Sequence, residues 1–208
     1  SFSLASASPA ETRRINVYTP PGYATSARRF PVLYMLDGGL QEDFPHLARA
    51  LDEGIRAGEI QPLILVGIEN TERRRDMTGP TAVADDRKIA PRVGGSATFR
   101  AFIAKQLVPE IQTRYRADAH RGVIGESLAG LFAIESLLHE PALFDTVIAI
   151  SPSLWWNDAS IVRDAPALLR RLPATSRHLF LTSADEENIA PNVAAFDRQP
   201  AAGGIEEA

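Results

Sequence analysis

Continuous apolar runs separated by segments of helical period constrain this chain more than any other feature in it. Pro31-Val32-Leu33-Tyr34-Met35-Leu36 is one such run, Leu63 to Ile68 a second and Thr146 to Ile150 a third. A strand reads this way when both of its faces are covered, as in a parallel sheet flanked by helices. Between the first two lies Gln41 to Ala57, where Phe44, Leu47, Leu51 and Ile55 follow a three-and-four repeat and Gly58 stands at a C-terminal stop. Beyond them the pattern predicts a helix over Thr98 to Tyr115, a short strand over Gly122 to Gly125 and a helix over Leu128 to His139. After the third run come a helix over Ala159 to Leu172 and a strand over Leu179 to Thr182. Strands alternating with helices imply right-handed crossovers, hence a mostly parallel α/β sheet with helices on both faces.

The first residues break this rhythm. Phe2 to Ser6 and Arg13 to Thr19 alternate in the manner of half-buried strands, with a turn at Ala7-Ser8-Pro9-Ala10, which predicts an N-terminal antiparallel hairpin. Pro20-Pro21-Gly22-Tyr23 ends it, since proline donates nothing to a ladder. The 208 residues suit one domain, and neither a repeat nor an interdomain linker interrupts them. Residues 69 to 97 form the longest stretch without clear period, and loops of that length are usually functional or mobile.

Composition narrows the chemistry. A net charge of −4 does not suit a polyanion partner, and Arg73-Arg74-Arg75 reads as a solvated or locally paired loop rather than a nucleic-acid footprint. There is no cysteine, which removes disulfides, thiolate metal sites and cysteine nucleophiles. No apolar run reaches the roughly 20 residues that span a bilayer. The chain starts at Ser1, and a removed leader would leave no trace, so periplasmic, secreted and cytoplasmic locations all stay open. The oligomeric state is not legible.

The strongest local signal is Val123-Ile124-Gly125-Glu126-Ser127-Leu128-Ala129-Gly130. It places a strand, then a serine among small residues, then a helix. A nucleophile elbow requires this order, because the strained serine backbone tolerates only small neighbours two residues before and after. Gly125 meets the first demand, and Ala129 stands where glycine is more frequent. A plain helix N-cap serine would give a similar local pattern. Asp37-Gly38-Gly39-Leu40 follows the strand that ends at Leu36, and glycines there let a backbone N–H face a substrate oxygen. Together the segments offer two oxyanion donors, the N–H groups of Gly39 and Leu128.

At these residues the chain resembles the esterase D-like branch of the α/β-hydrolases, which includes enterobactin-type siderophore esterases, S-formylglutathione hydrolases and mycolyltransferases. The resemblance is carried by Thr12 to Tyr23, Pro31 to Gly39, Arg75-Asp76-Met77-Thr78, Val123 to Phe132 and Ser151-Pro152-Ser153-Leu154-Trp155-Trp156, in family order. It implies an α/β-hydrolase fold and a carboxylic-ester hydrolase acting on a small-molecule ester, with no metal or organic cofactor. Ser127 is then the nucleophile, and Gly39 and Leu128 the oxyanion donors. The catalytic acid follows the strand Leu179 to Thr182, where Glu186 fits the family spacing best and Asp185 next. Those acids would equally suit a solvated helix start, where negative charge is favourable. Trp155 and Trp156 are candidate walls for the substrate, and Arg75 a candidate contact from the long loop, although core packing and an ion pair with Asp76 would explain them as well.

One departure stands out. In this fold the chain order is Ser, acid, His, yet His46, His120, His139 and His178 all precede Asp185, and no histidine lies between Glu187 and Ala208. His120 and His178 are read as standing at strand entrances and His139 near a helix end. His46, in the helix after Gly39, is the one candidate for a wall or binding role. Two expectations follow. Either the single domain, as given, lacks a C-terminal strand and helix carrying the base, the polar, glycine-rich Ala201 to Ala208 standing in their place, or the chain is a hydrolase-fold protein that binds a ligand or partner without chemistry.

Overall fold

The computed structural model describes residues 1–7, 9–90, 92–199 and, as backbone, 205–207. The chain divides into two compact units, one of Ser1–Thr71 with Ala101–Gly122, the other of Glu72–Arg100 with Val123–Ala208.

In the first unit, β1 (Phe2–Ala7) and β2 (Ala10–Tyr18) form the expected antiparallel hairpin, although its turn residue Ser8 lies outside the described residues. β2 runs antiparallel to β4 (Ile64–Ile68), and β4 runs parallel to β3 (Phe30–Met35). The strand order is β1-β2-β4-β3-β5, with β5 (Ala117–Glu126) entering from this unit and leaving in the other. All five residues of β4 are buried, as its unbroken apolar sequence demands. Helix α1 (Phe44–Ala57) buries Phe44 and Leu51 and ends on Gly58, whose φ of 76° is the left-handed stop glycine supplies. Gly38 and Gly67 abut where β3 and β4 end: a Cβ on Gly38 would lie 2.3 Å from the Gly67 Cα.

The helix expected over Thr98 to Tyr115 is three segments in series. α3 (Ser96–Phe102) passes through a wide π turn at Ile103–Leu107 into α4 (Val108–Arg114). Pro109 lacks an N–H and its ring crowds the preceding turn, and the widening lies in that turn. β5 is also longer than the short strand expected. It takes in Asp118-Ala119-His120-Arg121, where Ala119 and His120 are exposed and the charged Asp118 and Arg121 half-buried, which masks the strand pattern, and it places His120 inside the strand rather than at its entrance.

In the second unit the order continues as β5-β6-β7-β8. β6 (Thr146–Ile150), β7 (Arg177–Thr182) and β8 (Ile205–Glu207) pair in parallel. α5 (Leu128–His139) is buried at every residue from Leu128 to Leu138, and is accordingly apolar on nearly every side. Phe132 on it packs against Phe99, ring centroids 5.2 Å apart, with the Arg100 guanidinium 5.8 Å from the Phe132 ring. α6 (Trp156–Leu169) opens with a left-handed turn, φ being 51°, 53° and 52° at Asn157, Asp158 and Ala159, so the right-handed helix begins after Ala159.

Two further elements lie beyond what the pattern predicts. α7 (Ala190–Asp197) buries Val193 and Phe196, and β8 adds a strand beside Arg177–Leu179. β8 is joined by backbone pairing, which the polar composition of 201–208 does not reveal; residues 201–204 and 208 of that stretch lie outside the described residues. The stretch 69–97 also carries structure. α2 (Arg73–Asp76) and a 3₁₀ turn at Asp86–Lys88 fall within it, while Pro91 is outside the described residues.

Candidate active site

β5 ends at Glu126 and α5 begins at Leu128, leaving Ser127 alone on the turn with φ 58° and ψ −117°. Such a conformation costs a non-glycine residue about 1–3 kcal/mol and persists only where the surroundings impose it. Three backbone hydrogen bonds impose it here. The Ser127 N–H donates to the Ile150 carbonyl at the end of β6 (3.0 Å), and the Ser127 carbonyl accepts from the N–H groups of Leu131 and Ser153 (3.0 Å each). The turn also needs small residues. A Cβ on Gly125 would lie 2.5 Å from the carbonyl carbon and oxygen of Ala129, and one on Gly130 would lie 3.0 Å from Pro152 Cα. Ala129 is fully buried in this contact, so a methyl fits at the position where glycine is more frequent. This is elbow geometry, not a plain N-cap: Ser127 makes no side-chain capping hydrogen bond.

Ser127 is partly exposed, and its Oγ lies 3.1 Å from the Oγ of the buried Ser153. Leu128, the first residue of α5, has an N–H with no acceptor inside its own helix, which is the donor an oxyanion needs.

The Gly38-Gly39 turn in the first unit is more occupied than its sequence suggests. Asp37 has φ 54° and the Gly38 N–H donates to the Ile68 carbonyl (3.0 Å). The Gly39 N–H does not stand open: it donates to Glu42 Oε2 at 2.6 Å, while the Glu42 N–H donates back to the Gly39 carbonyl at 3.0 Å. A side chain three residues on closes the turn reciprocally, as in a capping box. Asn70 holds that carboxylate in turn, donating to Glu42 Oε1 (2.7 Å) and Asp37 Oδ1 (2.6 Å). An oxyanion at Gly39 would take the place of Glu42.

Asp185 and Glu186 follow β7, as the resemblance implies, but both side chains are exposed and among the described residues neither forms an ion pair. Backbone bonds fix their segment: the Ala184 N–H donates to Ser151 Oγ (3.2 Å), and the Glu186 carbonyl accepts from Ile189 and Ala190 ahead of α7. Among the described residues no histidine is bonded to Ser127. His46 is exposed on α1, His120 and His178 lie in β5 and β7, and His139 ends α5. Partial burial, and then the nearby Arg100 cation, hold the His139 pKa below the ordinary imidazole value.

The two tryptophans separate. Trp156 is 2% exposed and its indole N–H donates to the Gly79 carbonyl at 2.9 Å, which makes it a core residue pinning the long loop rather than an open wall. Trp155, its ring 6.0 Å from that of Trp156, is the half-exposed member. Arg75 is bound to Asp76, both Nε and Nη2 lying 2.7 Å from Asp76 Oδ1. With Glu72, Arg74, Ala90 and Arg92 it also lines a cavity of about 240 Å³. Within the Ser151 to Trp156 segment that carries the resemblance nothing singles out Ser153: a serine between proline and leucine has neither a spacing nor a charge to reveal its proximity to Ser127. Among the described residues no cluster of His, Cys, Asp and Glu is arranged to hold a metal, and no helix is long and apolar enough to cross a membrane.

Comparison with known proteins agrees with the sheet. Ferri-bacillibactin esterase BesA of Bacillus subtilis (strain 168) is 37% identical over 161 residues, covering 70% of this chain and 54% of BesA, so the chain spans about half of that relative's length. The crystal structure of BES protein from Bacillus cereus superposes with a TM-score of 0.86 at 24% identity, covering all of this chain and 85% of the other. That of an IroE-like serine hydrolase from Shewanella oneidensis gives 0.82 at 25% identity, covering 100% and 72%. The sheet is therefore that of the α/β-hydrolase esterases. The family described as Putative esterase matches residues 6–194, and the chain belongs to it.

Proposed function

We propose that this protein hydrolyses carboxylic esters through an acyl-enzyme on Ser127. The observation that carries this is the strained Ser127 backbone between β5 and α5, held by three backbone hydrogen bonds beside a first-turn N–H. Ser127 Oγ attacks the ester carbonyl carbon, its proton passes to an imidazole base that the proposal requires beside it, and the carbonyl π pair moves onto oxygen beside the Leu128 N–H. Collapse breaks the carbon–oxygen bond to the alcohol, which takes the proton from the base. Water then attacks the acyl-enzyme in the same way, giving its proton through the base to Ser127 Oγ as the acid is released. Asp185 or Glu186 serves as the acid that orients the base. Trp155 supplies an apolar wall, and Arg75 and His46 are candidate substrate contacts. The relative BesA is named for ferri-bacillibactin, and the same class of substrate, an ester within an iron-chelating siderophore, fits a family member of this kind.

The test is turnover of p-nitrophenyl acetate and of ferri-bacillibactin by the full-length protein and by Ser127→Ala. Loss of the nucleophile should remove several orders of magnitude in rate. Undiminished turnover in the variant would move the chemistry away from this turn. One observation favours a second reading, a hydrolase-fold protein that binds without reacting: Ser127 is bonded to a serine hydroxyl rather than to an imidazole. Failure of a p-nitrophenyl phosphonate to label Ser127 in the full-length protein would support it.

A further inference from the structure

The hydroxyl of Ser153 is buried, the residue being 2% exposed, and among the described residues its one hydrogen-bond partner is Ser127 Oγ, 3.1 Å away. We infer that Ser153 is a catalytic residue of the proposed reaction, donating its hydroxyl hydrogen to Ser127 Oγ and so orienting the nucleophile and stabilising the charge that develops on it. The inference rests on the esterase reading of Ser127.

Three features of the chain carry it. First, a buried hydroxyl normally finds a structural partner, a carbonyl above all. Ser136, on the next helix turns, does so by donating to the Phe132 carbonyl at 2.7 Å. Ser153 has no such bond, and its hydroxyl is directed at the one atom in the chain expected to react. Secondly, the backbone fixes Ser153 independently of its side chain. Its N–H donates to the Ser127 carbonyl (3.0 Å), and its own carbonyl accepts from Trp156 (3.2 Å). The two serines are thus tied to each other through main chain, so the hydroxyl separation does not depend on a flexible loop. Thirdly, Trp156 is locked by its bond to Gly79, and this anchors the far end of the same segment.

The chemistry follows from that placement. In the resting state either hydroxyl can donate. When the base accepts the Ser127 proton, Ser127 Oγ becomes an acceptor only, and Ser153 Oγ–H is left as its donor. Hydrogen bonds to an oxygen carrying negative charge are stronger than neutral ones. The contact is therefore strongest while Ser127 Oγ is charged, as its proton leaves before the carbon–oxygen bond is complete and again as that bond breaks on release of the acyl group. Ser153 keeps its proton throughout and forms no covalent bond. An interaction stronger in the transition state than in the ground state raises kcat without lowering KM.

Steady-state hydrolysis of p-nitrophenyl acetate and the rate of labelling by a p-nitrophenyl phosphonate, both on the full-length protein, test this. Ser153→Ala should lower kcat and the labelling rate by roughly 10- to 100-fold with KM little changed. Ser153→Thr, which keeps the donor, should restore most of the loss, and Ser153→Cys, a weak donor, should fall between. Unfolding midpoints of the three variants separate the effect from misfolding. Wild-type labelling with Ser153→Ala equally fast, or with Ala and Thr equally impaired at wild-type stability, overturns the role of Ser153 and leaves the esterase reading standing. Absence of labelling in the wild type overturns both.

Discussion

The backbone N–H of Asn157 donates to the carboxylate of the buried Asp86 at 2.9 Å, while Asn157 itself is held at φ 51°. The contact is doubled from the other side, since Asn157 Oδ1 accepts from the Ala82 N–H at 3.0 Å. Thr81 joins it by donating to Asp86 Oδ2 at 2.6 Å. This clasp fastens the loop between α2 and α3 to the turn that follows Trp155 and Trp156. Asparagine suits it because its short amide tolerates the left-handed region. Asp86→Ala removes the acceptor of the part-buried Asn157 N–H and leaves the Thr81 hydroxyl hydrogen only its longer bond to Asn157 Oδ1 (3.3 Å), and should destabilise the protein by about 1–3 kcal/mol in urea unfolding. Asn157→Gly keeps the backbone conformation but loses the side-chain bonds, and should cost less than Asn157→Leu, which loses both.

Gly125 gives the sharpest test of the elbow. Its added methyl would meet Ala129 backbone at 2.5 Å, and backbone cannot swing aside as a long side chain can. Gly125→Ala should therefore cost upwards of about 1–3 kcal/mol, the usual range for overpacking. It should also reduce ester turnover in whatever protein remains folded. Ala129→Gly relieves contact instead and should leave turnover close to wild type.

Much of this was legible in the residues. The apolar runs located β3, β4 and β6 because burial on both faces leaves a direct trace in composition, and Gly125 with Ser127 located the elbow because sterics permit few alternatives. The departures share a cause. β8 is joined by backbone bonds, and the exposed centre of β5 has polar side chains, so neither presents an apolar pattern. The Gly39 N–H seemed open because glycine in a turn advertises freedom, whereas the carboxylate that occupies it comes from Glu42, a residue that reads as ordinary helix approach. Burial of Trp156 was equally hidden, since adjacent tryptophans read alike in sequence.

Arg100 and Glu135 form a buried ion pair at 3.0 Å, their side chains 6% and 9% exposed, with Ser96 Oγ donating to the same carboxylate oxygen at 2.6 Å. Removing one partner leaves the other charge in the interior. Arg100→Met should destabilise by about 3–5 kcal/mol, Glu135→Leu should cost less because Arg100 keeps Glu140 Oε1 at 3.3 Å, and the double variant should recover much of the loss. Equilibrium unfolding of the four proteins gives the coupling directly.

Tyr18 provides the pH dependence. Burial, and then its hydrogen bond to Asp52 at 3.0 Å, push the phenol up to about 12. Between the ordinary tyrosine value near 10 and about 12, the unfolded chain has released a proton that the folded chain retains. Stability from this group is therefore complete below about pH 10 and lost as pH rises towards 12. Tyr18→Phe should flatten that alkaline decline, measured as the urea midpoint against pH. An unchanged slope would assign the decline to other groups.

The two tryptophans should part company in kinetics as they do in space. Trp156 is enclosed, and its indole N–H satisfies the Gly79 carbonyl, so Trp156→Phe keeps most of the apolar volume but strands a buried acceptor. The expected cost is about 1–3 kcal/mol of stability. Because Gly79 lies on the loop that the Asp86 clasp also holds, that cost should not add simply to the cost of Asp86→Ala; residues in one hydrogen-bonded network usually couple. Trp155 stacks obliquely on Trp156 and keeps part of its ring accessible. Trp155→Ala should change stability less than Trp156→Phe. If the ring is the proposed substrate wall, its effect should appear in catalysis, as a raised KM that is larger for aromatic than for acetyl esters, since apolar contact to the acyl group would be made in ground state and transition state alike. Unfolding midpoints and a short series of p-nitrophenyl esters on both variants decide the matter. If Trp155→Ala lowers stability as much as Trp156→Phe and leaves the ester series in its wild-type order, Trp155 belongs to the core and the substrate wall lies elsewhere.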